Sequence, residues 1–367
     1  MFPTDYEAVL ERIDTIDPVS YGRTRNFVDG AVTKLSPYIS RGVISTKQVL
    51  KRTLKRGYDP RKIKKFIQEL AWRDYWQRVW ISKGEGINSD LRSRQVAVNN
   101  LEMPSALVDA ETGIEAVDRD IRELYETGYM HNHVRMYTAS IACNIGLSHW
   151  KVPAGWMYFH LLDGDWASNT LSWQWVAGTN SHKKYFANQQ NINRYCHTEQ
   201  EDTFLDLGYD ELSGTDVPER LLSTCLPILE TKLPESRPPE IDQTRPTLIY
   251  TLYNLDPIWH KELDANRVLL FEPSHFKEYP VSANTIDFAV QLARNIDGVQ
   301  IFSGEFSELQ DAAGKSAIIF KEHPFARHFA GREEPRDWMF SLDGYFPSFS
   351  KFWRECEREL TGQATLF

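Results

Sequence analysis

Apolar residues recur three and four apart through the first half of the chain, most clearly over 63–80, 112–126 and 131–150, which is the spacing of helices with one buried face. Gly57, Gly84-Glu85-Gly86, Pro104, Gly128, Pro153 and Gly155 interrupt the pattern as turns. From Tyr6 to about Ala187 the chain therefore reads as a helix assembly. Over 208–246 the composition shifts to Pro, Glu, Ser and Thr, closing on LPESRPPEIDQTRP, which predicts a surface connection. Beyond it come short β-branched runs at 247–252, 267–271, 298–302 and 316–320, with a helical pattern at 284–295 between the second and third. That alternation predicts a parallel sheet. The expected fold is multidomain, α and α/β: an all-helical domain over 1–207, a linker over 208–246 and a small Rossmann-like α/β domain over 247–367.

Charge divides the chain in a similar way. Residues 1–200 carry 26 Lys and Arg against 22 Asp and Glu, whereas 201–367 carry 16 against 29. A polyanion would be drawn to the first part and repelled by the second. The densest basic run, Lys51, Arg52, Lys55, Arg56, Arg61, Lys62, Lys64 and Lys65, reads equally as a solvated helix face or a DNA-facing one. No apolar stretch approaches the ~20 residues of a membrane-spanning helix and the start lacks a signal-like block, so a soluble, cytoplasmic protein with no membrane partner is expected. Cys143, Cys196, Cys225 and Cys356 lie far apart without a CxxC pair, and no metal site is expected. The α/β segment has no Gly-rich phosphate fingerprint, so it does not indicate a dinucleotide site of its own.

Eight of the eleven tryptophans fall between Trp72 and Trp175. Core packing is the default reading for tryptophans in helices. Their neighbours add chemistry. Asp163-Gly164-Asp165 sets two carboxylates around a turn, able to bind a metal, cap a helix or pair with cations. His131 and His133 would diverge by about 200° on a helix, which argues against a shared metal. Asn132 and Arg135 share a face, from which the arginine could pair with Asp163.

The blocks Tyr129-Met130-His131-Asn132-His133-Val134-Arg135-Met136, Asp163 to Asn169 (DGDWASN) and Trp173 to Thr179 (WQWVAGT) resemble the flavin-binding core of the DNA photolyase and cryptochrome family. Val32 to Tyr38 with Gly42 and Ser45, Glu69 to Asp74 (ELAWRD), and Thr112-Gly113 with Val117-Asp118 agree in order. The resemblance spans about 20–190. It implies FAD, with Tyr21, Val32, Thr33, Lys34, Leu35, Ser36 and Arg73 around its phosphates, and Asn132, Arg135, Asp163 and Asp165 around the ring and ribityl. Asn169 would face the flavin N5, accepting from it or donating to it.

The same resemblance implies a photolyase acting on UV-damaged DNA, with a single-stranded or flipped cyclobutane pyrimidine dimer as substrate. Trp173 and Trp150 match the inner electron relay. Its outer tryptophan has no counterpart, because 97–107 lacks an aromatic residue, and Trp156 or a surface tyrosine is left to substitute. Trp72 and Trp175 match base-stacking platforms, Glu69 the acid that bonds the dimer, and His133 and Met136 the DNA side. A cryptochrome-type photoreceptor with a signalling partner is the alternative.

Departures are informative. His133 stands where the family usually has arginine, Tyr129 where it has tryptophan, and 184–193 (KYFANQQNIN) replaces a loop that normally carries arginine and proline. Only twenty residues precede Tyr21, where the family carries an α/β antenna domain. Residues 267–309 are loosely similar to part of that domain, which implies a circular permutation that shortens it and moves it to the C-terminus. Whether it holds a second, antenna chromophore is not legible.

Overall fold

The computed structural model describes residues 2–181 and 183–364. Helices form within the expected segments, at Lys64–Lys83, Glu115–Thr127 and Asn132–Ser140, and also at Lys151–His160 and Trp166–Ala177. The expected helix at 131–150 is corrected: it ends at Ser140, passes through a π-turn over Ile141–Ile145, and a new helix starts at Lys151 with Trp150 as its cap. Wider backbone bonds, Gly146 N to Ile141 O (2.7 Å) and Ser148 N to Ala142 O (3.0 Å), unwind it. The expected helix at 112–126 starts later, at Glu115, because Thr112 and Gly113 serve as its stop. Asp118 accepts from Thr112 N (2.9 Å), Thr112 Oγ1 (2.6 Å) and Gly113 N (2.9 Å). Asp118→Ala should leave three donors without their acceptor, lowering stability by about 3 kcal/mol or more, as a urea midpoint would measure.

The chain gathers into two compact units. One comprises the residues up to Pro18, Thr33–Tyr75 and those from Glu230 onward; the other comprises Val19–Val32 and Trp76–Leu229. These cut across the expected ranges 1–207, 208–246 and 247–367, because early segments are bound to the sheet-bearing part. Tyr6 N donates to Asn295 Oδ1 (3.0 Å), and Asn295 Nδ2 donates to Thr4 O (2.7 Å). Gly42, at φ +64°, lies so close to the Tyr253 carbonyl that a Cβ would stand 2.3 Å from it.

The sheet of this first unit is parallel throughout. Its strands, β1 (Thr247–Tyr250), β2 (Asn266–Phe271), β3 (Val299–Ser303), β4 (Ile318–Lys321) and β5 (Arg332–Glu334), lie in the order 3-2-1-4-5. This is the doubly wound Rossmann order, with its switch point between β1 and β4. The four expected strands are present, whereas β5, three charged residues long, has no apolar signature. At the carboxyl ends of β1 and β4, Tyr253 and His323 stack with centroids 4.4 Å apart. Phe325 and His275 pack beside them, and the buried Arg41 guanidinium lies 5.4 Å over Tyr253. The switch point is thus furnished with the unit's own rings.

The segment expected as a plain surface linker also has structure. Thr224–Cys225 pairs antiparallel with Met103–Pro104, and Leu212 and Leu221 are buried in the helical core. Further on, Ser303 N donates to Ser236 Oγ (2.7 Å), and Gln300 exchanges side-chain bonds with the Glu240 backbone. Proline bars this strap from ladder pairing, yet it covers the outer edge of β3 through side-chain bonds.

Enclosure in aromatic surroundings holds three histidines neutral. Burial pushes His160 down to about 4 and His275 to about 3, and His323 lies well below its ordinary 6.5. Because the unfolded chain takes up these protons first, their stabilising contribution is full above pH 6.5 and declines as pH falls. The loss is roughly 2 kcal/mol per histidine by pH 5. Asp120, raised by burial to about 6, works the other way, one group against three. Urea midpoints should therefore fall steeply between pH 7 and 5, and His275→Gln should flatten that slope.

Candidate functional site

In the second unit, Gly30 closes the turn that follows Tyr21. A Cβ there would stand 2.0 Å from the Thr24 carbonyl, and Thr24 Oγ1 accepts from Ala31 N (3.0 Å). Asp163-Gly164-Asp165 then resolves into two roles. Asp165 caps the helix Trp166–Ala177, accepting from Ser168 N (2.7 Å), and takes a second bond from Gln77 Nε2 (2.5 Å). Asp163 pairs with Arg135 (3.0 Å), with both side chains largely removed from solvent. Arg135 is further fixed by the Met130 carbonyl (2.8 Å) and lies 5.9 Å over the Tyr129 ring. Among the described residues no cluster of His, Cys, Asp and Glu could hold a metal ion.

Asn169 sits in the first turn of the same helix but does not cap it. Its Nδ2 donates to the Ala154 carbonyl (2.8 Å), which leaves the amide oxygen and the second N–H as the groups it can offer. Next to it, Ser168 Oγ is buried without a hydrogen-bond partner. Asn132 is exposed at the first turn of its helix. An acceptor amide, a fixed cation–carboxylate pair and an unfilled hydroxyl form a donor and acceptor set that fits a heteroaromatic ring with edge N–H and carbonyl groups.

Trp150, Trp156 and Trp173 are buried in one apolar cluster. Trp150 Nε1 donates to Asp90 Oδ1 (2.7 Å), and His149 Nε2 lies 3.2 Å from the same oxygen. Trp156 donates instead to the Tyr125 hydroxyl (3.1 Å) and is no more exposed than Trp150, so it does not lead to the surface. Trp175, at the far end of the helix carrying Asn169, is 39% exposed and tilts against Tyr185. Met136 packs against the core cluster. His133, expected at the DNA side, is half-buried, with Nδ1 2.9 Å from the Asn26 carbonyl and its ring stacked on Tyr137.

In the first unit, Thr33 Oγ1 accepts from Leu35 N (3.2 Å), folding Thr33 to Ser36 into a turn, with Lys34 at φ 51°. Arg73 is hydrogen-bonded to Ser40 Oγ, one helix further on. Glu69 pairs with Lys65 at 2.8 Å. Trp72, on the same helix, is stacked face to face on Phe349, with centroids 3.7 Å apart and planes 8° from parallel. Phe349 opens the helix Phe349–Ala364, which is further tied by Lys64 to Glu357 (2.6 Å) and by Tyr75 to Phe352. In the basic run, Arg52 pairs with Asp14 and Lys64 and Lys65 with acids, so part of that charge is locally answered. Phe349, Asp90 and Gln77 carry no local signal, because each acts on a partner far away in the sequence.

Residues 66–213 match the family profile described as the FAD binding domain of DNA photolyase. Over these residues the chain is similar to the photolyase and cryptochrome family. FAD is the cofactor of the matched domain. A deoxyribodipyrimidine photo-lyase of Streptomyces griseus is 33% identical over 150 residues, which cover 41% of this chain and 32% of that protein. Cryptochrome DASH of Danio rerio is 33% identical over 174 residues, 45% of this chain and 33% of that protein. A solved class III photolyase from Agrobacterium tumefaciens aligns with a TM-score of 0.45 at 27% identity, over 52% of this chain and 42% of the other. The chain thus spans about a third of the length of the curated family members it matches. Among the described residues, no helix is long and apolar enough to cross a membrane.

Proposed function

We propose that this chain is a light-driven photolyase that splits cyclobutane pyrimidine dimers in DNA. The observation that carries the reading is Trp175, a large ring left open to solvent at the end of the helix whose first turn holds Asn169. Such a ring is a stacking surface for an unpaired base, and base–aromatic stacking is worth about 1–3 kcal/mol. Bound FAD, reduced and excited by blue light, supplies the electron that opens the dimer. The protein's part is positioning and charge. Asn169, with one N–H held by the Ala154 carbonyl, has an oxygen to accept from a flavin N–H and does not titrate. Arg135 and Asp163 place a fixed dipole beside the ring, while the Thr33–Ser36 turn and Arg73 are suited to phosphate oxygens. Glu69 is assigned to hydrogen-bond the dimer, with Lys65 paired to it at 2.8 Å.

A second reading, a photoreceptor that signals through its flavin without repair, is favoured by the Phe349 ring lying on Trp72, the other expected platform. The deciding experiment uses chemically reduced protein, single-stranded oligothymidine containing cyclobutane dimers, blue light, and recovery of thymine absorbance. Recovery only in the light, reduced in Glu69→Ala, is expected. No recovery from protein with bound, reducible flavin would transfer the assignment to the photoreceptor.

A further inference from the structure

Trp150 is the outer of the two tryptophans that the family resemblance assigns to the relay, and it is buried in the cluster that holds Trp173. An oxidised tryptophan carries a positive charge, which is costly inside an apolar core. Elsewhere in this unit indoles donate to neutral acceptors, the buried Trp156 to the Tyr125 hydroxyl and the half-buried Trp166 to the Asn88 amide oxygen (2.8 Å). Trp150 donates to a carboxylate, at 2.7 Å, shorter than the usual N–H···O distance of about 2.9 Å. Two further contacts fix Asp90, and a third ties Gln95 to Trp150. Gln95 N donates to Oδ2 (2.8 Å), Gln95 Oε1 accepts from Trp150 N (3.0 Å), and His149 Nε2 meets Oδ1 at 3.2 Å. Lys151 N donates to His149 Nδ1 (3.3 Å), which keeps the ring proton on Nε2, so that this histidine steadies the carboxylate as a donor. The Asp90 side chain is 19% exposed and so opens to water, whereas Trp150 does not.

Resting on the light-driven flavin reading above, we propose that Asp90 is the proton acceptor that ends the electron relay at Trp150, in place of an outer tryptophan. An electron drawn from Trp173 by photoexcited oxidised flavin is replaced from the Trp150 ring. The Trp150 Nε1–H bond then breaks; its electron pair stays on nitrogen, the proton passes to Asp90 Oδ1, and a neutral tryptophan radical faces a neutral carboxylic acid. Return of the electron now requires return of the proton, and Asp90 can release that proton to water. An external thiol later restores the electron, and solvent the proton, to Trp150.

The test is flash spectroscopy on the FAD-loaded full chain in H2O and D2O, following the cation and neutral-radical bands of tryptophan, together with photoreduction under steady blue light. Wild type should form the neutral radical with a solvent isotope effect. Asp90→Asn, which keeps an acceptor but not a base, should leave the cation in place and slow photoreduction roughly ten-fold or more; Asp90→Glu should restore part of it. An unchanged neutral radical in Asp90→Asn overturns the assignment. Should that variant not fold, a wild-type Trp150 signal without an isotope effect overturns it equally. Trp150→Phe separates the two levels: normal photoreduction there defeats the relay itself, whereas arrest there with normal Asp90→Asn defeats only the proton acceptor.

Discussion

Phe349→Ala should bind dimer-containing single-stranded oligothymidine about ten-fold more tightly than the wild-type chain. Phe349 now holds the face of Trp72 at ring-on-ring distance, in the manner of a stacked base, and any base stacking there must first displace it. Removing the competitor saves that displacement, while the remainder of its helix stays anchored through Phe352, which is 1% exposed, and by the Lys64–Glu357 pair. Fluorescence anisotropy with damaged and undamaged strands measures the effect. A gain confined to damaged strands supports Trp72 as a platform and Phe349 as its occupant. Equal affinities in variant and wild type would mean that Trp72 is a packing residue and that recognition rests on Trp175. Phe349→Trp, which keeps the stack, should stay at the wild-type value.

Trp173→Phe should abolish blue-light photoreduction while FAD remains bound. Phenylalanine fills nearly the same apolar space but is far harder to oxidise, so the electron path closes without disturbing the pocket. Trp173 is 2% exposed and belongs to the cluster that holds Trp150, so the substitution costs packing alone. Bound flavin is read from its absorption spectrum, and the relay from bleaching under illumination with a thiol donor. Bleaching at the wild-type rate would place the electron path through other residues, with Trp156 and Tyr125 the next to substitute.

Several parts of this molecule were legible in the sequence because they depend on residues close together in it. Apolar spacing located the helices at Lys64–Lys83, Glu115–Thr127, Asn132–Ser140 and Ala283–Ala293 and four of the five strands, though not the helices Trp166–Ala177 and Phe349–Ala364, and a strand–helix–strand order is enough to require parallel pairing. The pairing of Arg135 with Asp163 could be anticipated, since both positions belong to recognisable blocks. The dual reading of Asp163-Gly164-Asp165 could not be resolved until its partners were known; one carboxylate caps a helix and the other meets a guanidinium. Side chains at i and i+4 share a helix face, and His133 lies on the face that bears Tyr137.

By itself, then, the sequence determined the helical and α/β character of the two kinds of segment and the family blocks that imply FAD, since both rest on local periodicity and on short ordered motifs. Only the tertiary structure decided that residues up to Pro18 and Thr33–Tyr75 group with the sheet, that Phe349 stacks on Trp72, and that Asp90 takes the Trp150 indole N–H. Phe349 lies 277 positions from its partner and Asp90 lies 60 from its own. No helical or strand period reaches that far, so such contacts are set by how the whole chain packs its apolar surface.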